Sequence, residues 1–165
     1  VIMASGDAGP VDLAAFEAAL YDVALDLTKQ IARDGEGAHS LIEVHVDAAR
    51  DRSQAKRVAK AIVNSPLVKT ALFASDPNWG RLLAAIGRAG LEELRVELVE
   101  VYLNEVLIAS QGCRAASYTE EQGVAAMAPA DIVIRIELNR GDSDAAVWTT
   151  DFSYDYVRIN AEYRT

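Results

Sequence analysis

The chain has 165 residues, 51% hydrophobic and 25% charged, enough for one core of ordinary size. Its net charge is −9 and no Lys/Arg-rich run offsets it, which excludes a nucleic-acid duplex as a natural partner. Cys113 stands alone, so no intrachain disulfide forms and a reducing cytoplasm is expected; no apolar run approaches membrane-span length, and no signal peptide is visible.

The opening Val1-Ile2-Met3-Ala4 is apolar from its first residue. It reads as the last half of a buried strand, cut from a longer polypeptide whose other segments cover it. Pro10 stands where helix starts favour it. Leu13, Phe16, Leu20, Val23, Leu27 and Ile31 then recur at steps of three and four, one apolar stripe on a helix of about twenty residues. Asp34-Gly35-Glu36-Gly37 stops it. Ile42, Val44 and Val46 alternate with Glu43, His45 and Asp47, the pattern of a half-buried strand. Ser53 to Asn64 reads as a second helix with Ala55, Val58, Ala59 and Ile62 inward, ended by Pro66. Leu67 to Phe73 reads as a short strand or a helix–strand mixture.

Ser75-Asp76-Pro77-Asn78-Trp79-Gly80-Arg81 is dense in turn chemistry. Pro77 fixes its own φ and extends Asp76, while Asn78 and Gly80 tolerate turn geometry. A helix starting at once and closing at Gly87 and Gly90 would carry Trp79 as a scaffold, its ring mostly buried. Val96 to Ser110 reads as a hairpin turning near Asn104-Glu105. Thr119-Glu120-Glu121-Gln122 resembles a capping box and opens a short helix ending near Pro129. Ile132, Ile134, Ile136 and Leu138 alternate with Val133, Arg135 and Glu137. Asn139-Arg140-Gly141-Asp142 then turns the chain, Ala145 to Phe152 returns as a strand, and Tyr154 to Tyr163 has helical spacing. Helices mixed with antiparallel strand pairs give an α+β fold: one unit, 1–165, with a mixed, largely antiparallel sheet packed with helices.

Chemistry concentrates at few positions. Glu36 lies between two glycines at a helix end, near the negative end of the helix dipole, a placement that suits a carboxyl exchanging protons. The plainer reading is a solvated turn carboxylate. His39 and His45 have no Cys partner, so no metal is expected and both default to a strand surface. Asp131, Asp142, Asp144 and Asp151 are spread along a hairpin and read as solvated or turn-forming. No Gly-x-Ser-x-Gly elbow or phosphate loop is present, so the chain carries a candidate acid/base and no nucleophile. The end, Asp155 to Thr165, is rich in Tyr and Arg where tails are usually bland. It reads either as a docked helix or as a tail presenting Asn160 and Thr165 to a site.

Arg33-Asp34-Gly35-Glu36-Gly37-Ala38, Asn64-Ser65-Pro66-Leu67-Val68-Lys69-Thr70-Ala71, Ser75 to Arg88 and Asp155 to Thr165 together resemble the β chain of the ornithine acetyltransferases. These are the glutamate N-acetyltransferases, ArgJ type, of the cyclic arginine pathway. The resemblance implies a precursor that cleaves itself before a threonine, which becomes the nucleophile and lies upstream of Val1. Its own α-amino group can act as base. Acetyl then passes from N-acetylornithine to glutamate through an acetyl-enzyme, with an oxyanion hole supplied by the α chain. The implied substrate contacts are Glu36 on an amine, and Asn160 and Thr165 on an α-carboxylate. The implied assembly is an α2β2 heterotetramer, with no cofactor, and with acetyl-CoA as a co-substrate if the enzyme is bifunctional. The family reads Glu-Gly-Ala-Thr-Lys where this chain has Glu36-Gly37-Ala38-His39-Ser40. Two other readings stay open: an N-terminal-nucleophile amidase or aminopeptidase on a related scaffold, and a non-catalytic interaction domain.

Overall fold

The computed structural model describes residues 5–7 and 9–163. The expected strand end at Val1-Ile2-Met3-Ala4 and the tail residue Thr165 lie outside them. In chain order the elements are α1 (Leu13–Arg33), β1 (Leu41–Ala49), α2 (Arg52–Val63), α3 (Pro66–Phe73), α4 (Trp79–Gly87), β2 (Glu100–Leu103), β3 (Val106–Ser110), β4 (Cys113–Arg114), α5 (Glu120–Ala126), β5 (Asp131–Glu137), β6 (Ser143–Thr150) and α6 (Tyr154–Glu162). Among the described residues no helix is long and apolar enough to cross a membrane.

The strands form one six-stranded sheet in the order β4-β3-β2-β5-β1-β6. Among the described residues only the β1–β5 pair is parallel; the others are antiparallel, as the α+β reading expects. Alternation sets its two faces. Ile42, Val44 and Val46 of β1 and Ile132, Ile134 and Ile136 of β5 share one face and are fully or almost fully buried. α2 packs on that face through Ala55, Val58, Ala59 and Ile62, as its spacing requires. Each large aliphatic side chain so enclosed contributes about 1.5–3 kcal/mol. The other face, with Glu43, His45, Arg135 and Tyr102, is polar and half-buried.

α1 crosses that polar face. Lys29 reaches down from it, with Nζ 3.3 Å from Glu43 Oε2 and 5.5 Å from the Trp148 ring centroid. Leu25, Lys29 and Ala32 are the half-buried positions of the helix. The apolar stripe therefore points away from the sheet: Leu13, Phe16, Val23, Leu27 and Ile31 are each more than half exposed.

Two expectations are corrected. Leu67 to Phe73 is helical, not a strand or a mixture. Ser65 caps it, its Oγ accepting from Val68 N, and Pro66 occupies a first-turn position where its missing N–H costs nothing. Ser-Pro thus closes α2 and opens α3. β5 and β6 are also not a hairpin, because β1 lies between them. Residues 138–142 cross the end of β1, with Leu138 N donating to Asp47 O at 3.0 Å and Arg140 N to Ala48 O at 2.8 Å. A turn of that length spans two strand spacings, about 10 Å. The β2–β3 hairpin and the Thr119–Gln122 capping box form as expected.

Candidate functional site

The Gly-Glu-Gly turn at the end of α1 is docked against the start of α6. Gly37 has φ +66, and a Cβ there would sit 2.7 Å from Tyr156 N and 2.9 Å from Ser153 Oγ. Only glycine fits, by dihedral and by space. Ser153 caps α6: its Oγ accepts from Tyr156 N at 3.1 Å and donates to Gly37 O at 2.6 Å. One hydroxyl therefore starts the helix and ties the turn to it.

This docking brings Glu36 to α6. Asn160 Nδ2 donates to Glu36 Oε2 at 2.8 Å and to Tyr156 O at 2.9 Å. An amide nitrogen carries two hydrogens, so both are committed and Oδ1 is the atom left to meet a ligand. Two of the residues expected at the site are thus in contact; the third, Thr165, lies outside the described residues.

Asp151 holds the turn from beneath. Its reading as a solvated or turn-forming residue is corrected: it is 5% exposed. Oδ1 accepts from His39 N at 2.8 Å and Ser40 N at 3.0 Å, and Oδ2 lies 3.2 Å from His39 Nδ1. A buried carboxylate needs such donors. Continuing the β6 alternation from Ala145 through Val147 and Thr149 places residue 151 on the core side, a signal that was present in the sequence. His39 is on the loop before β1, not on a strand surface, and its ring stacks obliquely on Phe73 at 5.4 Å. His45 does lie on the strand surface, with Nε2 2.6 Å from Glu43 Oε1.

Glu36, Asn64, Lys69, Asp151 and Tyr156 line a cleft of about 280 Å3. Lys69, on α3, and Tyr156, on α6, were given no chemical role by sequence reasoning. Burial pushes the Lys69 ammonium below its ordinary value, and the nearby negative charge of Asp151 partly restores it. Among the described residues Lys69 makes no ion pair.

Other polar groups serve the fold. Asn78 caps α4, with Oδ1 accepting from Arg81 N at 3.0 Å, and Arg81 Nη1 donates to Leu67 O at 2.8 Å, which ties α4 to α3. Trp79 packs on the core as a scaffold residue, mostly though not fully buried, as expected. Asp131, Asp142 and Asp144 are exposed, and Asp131 pairs with Arg33. On the polar sheet face, burial raises the Glu43 carboxyl. Trp148, His45 and Lys29 outweigh it and hold Glu43 below its ordinary value. Among the described residues Trp148 Nε1 is buried without a partner at full hydrogen-bonding geometry, and it acts on Glu43 at longer range. Among the described residues no three His, Cys, Asp or Glu side chains gather to hold a metal ion.

The ArgJ family model matches residues 1–165. The chain is 56% identical over 151 residues to the arginine biosynthesis bifunctional protein ArgJ of Pseudomonas syringae pv. tomato, covering 92% of this chain and 37% of that protein. It is 56% identical over 146 residues to the protein of the same name from Neisseria meningitidis serogroup A, covering 88% of this chain and 36% of the relative. The chain thus spans little more than a third of the length of the curated relatives it matches. The crystal structure of arginine biosynthesis bifunctional protein ArgJ from Bacillus halodurans superposes with a TM-score of 0.92 at 41% identity, over 99% of this chain and 79% of that one. With the family model matching residues 1–165 and close relatives in both sequence and structure, the chain belongs to the ArgJ family.

Proposed function

We propose that this chain is the β-chain part of an acetyltransferase that moves acetyl from N-acetylornithine to glutamate in arginine biosynthesis. The observation that carries the reading is the Glu36–Asn160 contact at the cleft, between two residues remote in sequence. A carboxylate there suits a substrate amine, and Asn160 and Thr165 complete the substrate contacts.

The catalytic step uses a threonine upstream of Val1 on the same polypeptide, released at a new N-terminus by self-cleavage. Its Oγ attacks the acetyl carbonyl while its α-amino group takes the hydroxyl proton. The C–N bond breaks, the proton passes to the departing ornithine nitrogen, and an acetyl ester remains. The glutamate amine then attacks that ester, the C–O bond breaks, and the threonine recovers its proton. The α chain supplies the donors that stabilise both tetrahedral oxyanions.

The same α chain is the proposed occupant of the outward stripe of α1. Leu13, Phe16, Leu20, Val23, Leu27 and Ile31 form a continuous apolar face. Such a face calls for a partner. The relatives carry nearly two thirds of their length beyond the matched region. The proposed assembly is α2β2 and cytoplasmic, without a cofactor. The relatives are named bifunctional, which supports acetyl-CoA as a second acetyl donor.

The experiment uses the complete precursor. Labelled acetyl is followed from N-acetylornithine to glutamate, and initial rates are measured against both substrates. Parallel double-reciprocal lines and labelled N-acetylglutamate are expected. A form ending at Arg158 should still cleave itself yet lose transfer, its acetyl-enzyme draining to water. Release of free acetate by the intact protein, with no N-acetylglutamate, would replace this reading with an amidase.

A further inference from the structure

We infer that Lys69 is the anion-binding end of the cleft and holds the α-carboxylate of the amino-acid substrate, while Glu36 and Asn160 take its amine end. The inference rests on the reading above that the cleft takes N-acetylornithine and glutamate.

Three observations converge on Lys69. Lys69 is half-buried in the cleft wall and makes no ion pair among the described residues. Burial opposes its charge. A cation held against that cost, facing a cavity, suits an anion that arrives with the ligand. Second, Asp151 does not neutralise it at contact distance. Both Asp151 oxygens are engaged with His39 and Ser40, so its charge reaches Lys69 only through space. Third, Asn160 has no donor to spare. Both its amide hydrogens are taken by Glu36 and Tyr156, which leaves an acceptor oxygen that favours an ammonium over a carboxylate.

The chemistry of the two substrates fits this polarity. Both carry an α-carboxylate beside the nitrogen that loses or gains the acetyl group. One fixed cation at that point serves both half-reactions and sets the reacting nitrogen in the same place each time. Only N-acetylornithine adds a side-chain ammonium, which Glu36 and Asn160 Oδ1 can receive. A cleft of about 280 Å3 is of the right scale for molecules of this size.

The competing role for Lys69 is a structural counter-charge to Asp151, and kinetics separate the two. The test uses the complete, self-cleaved enzyme with Lys69→Met and Lys69→Arg, and two donors: N-acetylornithine, and N-acetylputrescine, which lacks only the carboxylate. Wild-type transfer from N-acetylornithine to glutamate is measured first. Its absence would overturn the reading of the cleft and this inference with it. Given that transfer, Lys69→Met should raise KM for N-acetylornithine about 10- to 100-fold with kcat within about threefold, the size of one lost hydrogen bond to a charged group. Kinetics with N-acetylputrescine should not change. Lys69→Arg should recover most of the affinity, and the melting temperature of Lys69→Met should hold or rise, because a buried charge is removed. Equal losses on both donors, or no change on either, would overturn the role of Lys69 while leaving the acetyltransferase reading standing. So would a Lys69→Met protein that fails to fold, if Lys69→Gln folds and treats both donors as the wild type does.

Discussion

Asn160 Nδ2 lies 2.8 Å from Glu36 Oε2, across a separation of 124 positions in the chain. Nothing local to either residue makes this contact. It exists because Gly37 lets the turn press against the α6 backbone, and because Ser153 Oγ bonds both partners. The Glu36–Asn160 pair is therefore assembled from segments remote in the chain, with Asp151 beneath the turn.

Asp151→Ala is expected to loosen that assembly. It leaves two backbone N–H groups, of His39 and Ser40, without their acceptor. The cost should be about 2–4 kcal/mol, the range for losing bonds to a buried charge. Thermal unfolding of the assembled enzyme measures it. KM should rise as well, since Glu36 rides on the same turn. A variant with wild-type melting temperature and KM would show that Asp151 does not hold the turn.

Trp79→Ala is expected to destabilise without touching the site. Its ring packs on the core but stays partly exposed, so the loss should be about 1.5–3 kcal/mol, below the 3–5 typical of a fully enclosed tryptophan. Substrate affinity in the folded fraction should be unchanged. Lost affinity at an unchanged melting temperature would place Trp79 in the site instead.

Glu43 gives a pH dependence of defined sign. Its folded carboxyl sits below the ordinary value of 4.5, because His45 and Lys29 at contact distance, and Trp148 at longer range, outweigh the effect of burial. The native state therefore binds fewer protons here than the unfolded chain. The contribution is fully present above the unfolded value and is lost as pH falls through the folded one. Glu43→Gln should lower the melting temperature at pH 7, and the gap from wild type should shrink as pH falls below 4.5 and close once pH has passed below the depressed folded value, where the carboxyl is protonated in both states. A gap of constant size across that range would mean that the effect is not electrostatic.

Much of the fold was legible because its signals are local. The alternation of β1 and β5, the inward stripe of α2, the Asn104 hairpin and the Thr119 capping box each need only neighbouring residues. Non-local pairing was not legible. Residues 138–142 look like a hairpin turn whether β6 returns beside β5 or beyond β1, and only the packing of β1 decides. Leu67 to Phe73 is ambiguous in the sequence because Ser65-Pro66 serves equally as the stop of α2 and the start of α3. At the site, Glu36 and Asn160 came from the resemblance. Lys69 was passed over because lysines usually sit on solvated faces, and Asp151 because its burial depends on the phase of a whole strand.

The most direct measurement is the turnover of Glu36→Gln in the complete, self-cleaved enzyme. Glutamine keeps the shape and an acceptor oxygen for Asn160 but removes the negative charge proposed to hold the substrate amine. Acetyl transfer from N-acetylornithine to glutamate should fall at least about tenfold, the scale of lost acid–base or charge assistance, with self-cleavage and melting temperature preserved. Near-normal transfer by that variant would contradict the account, because the Glu36 carboxylate lining the cleft would then have no part in the reaction.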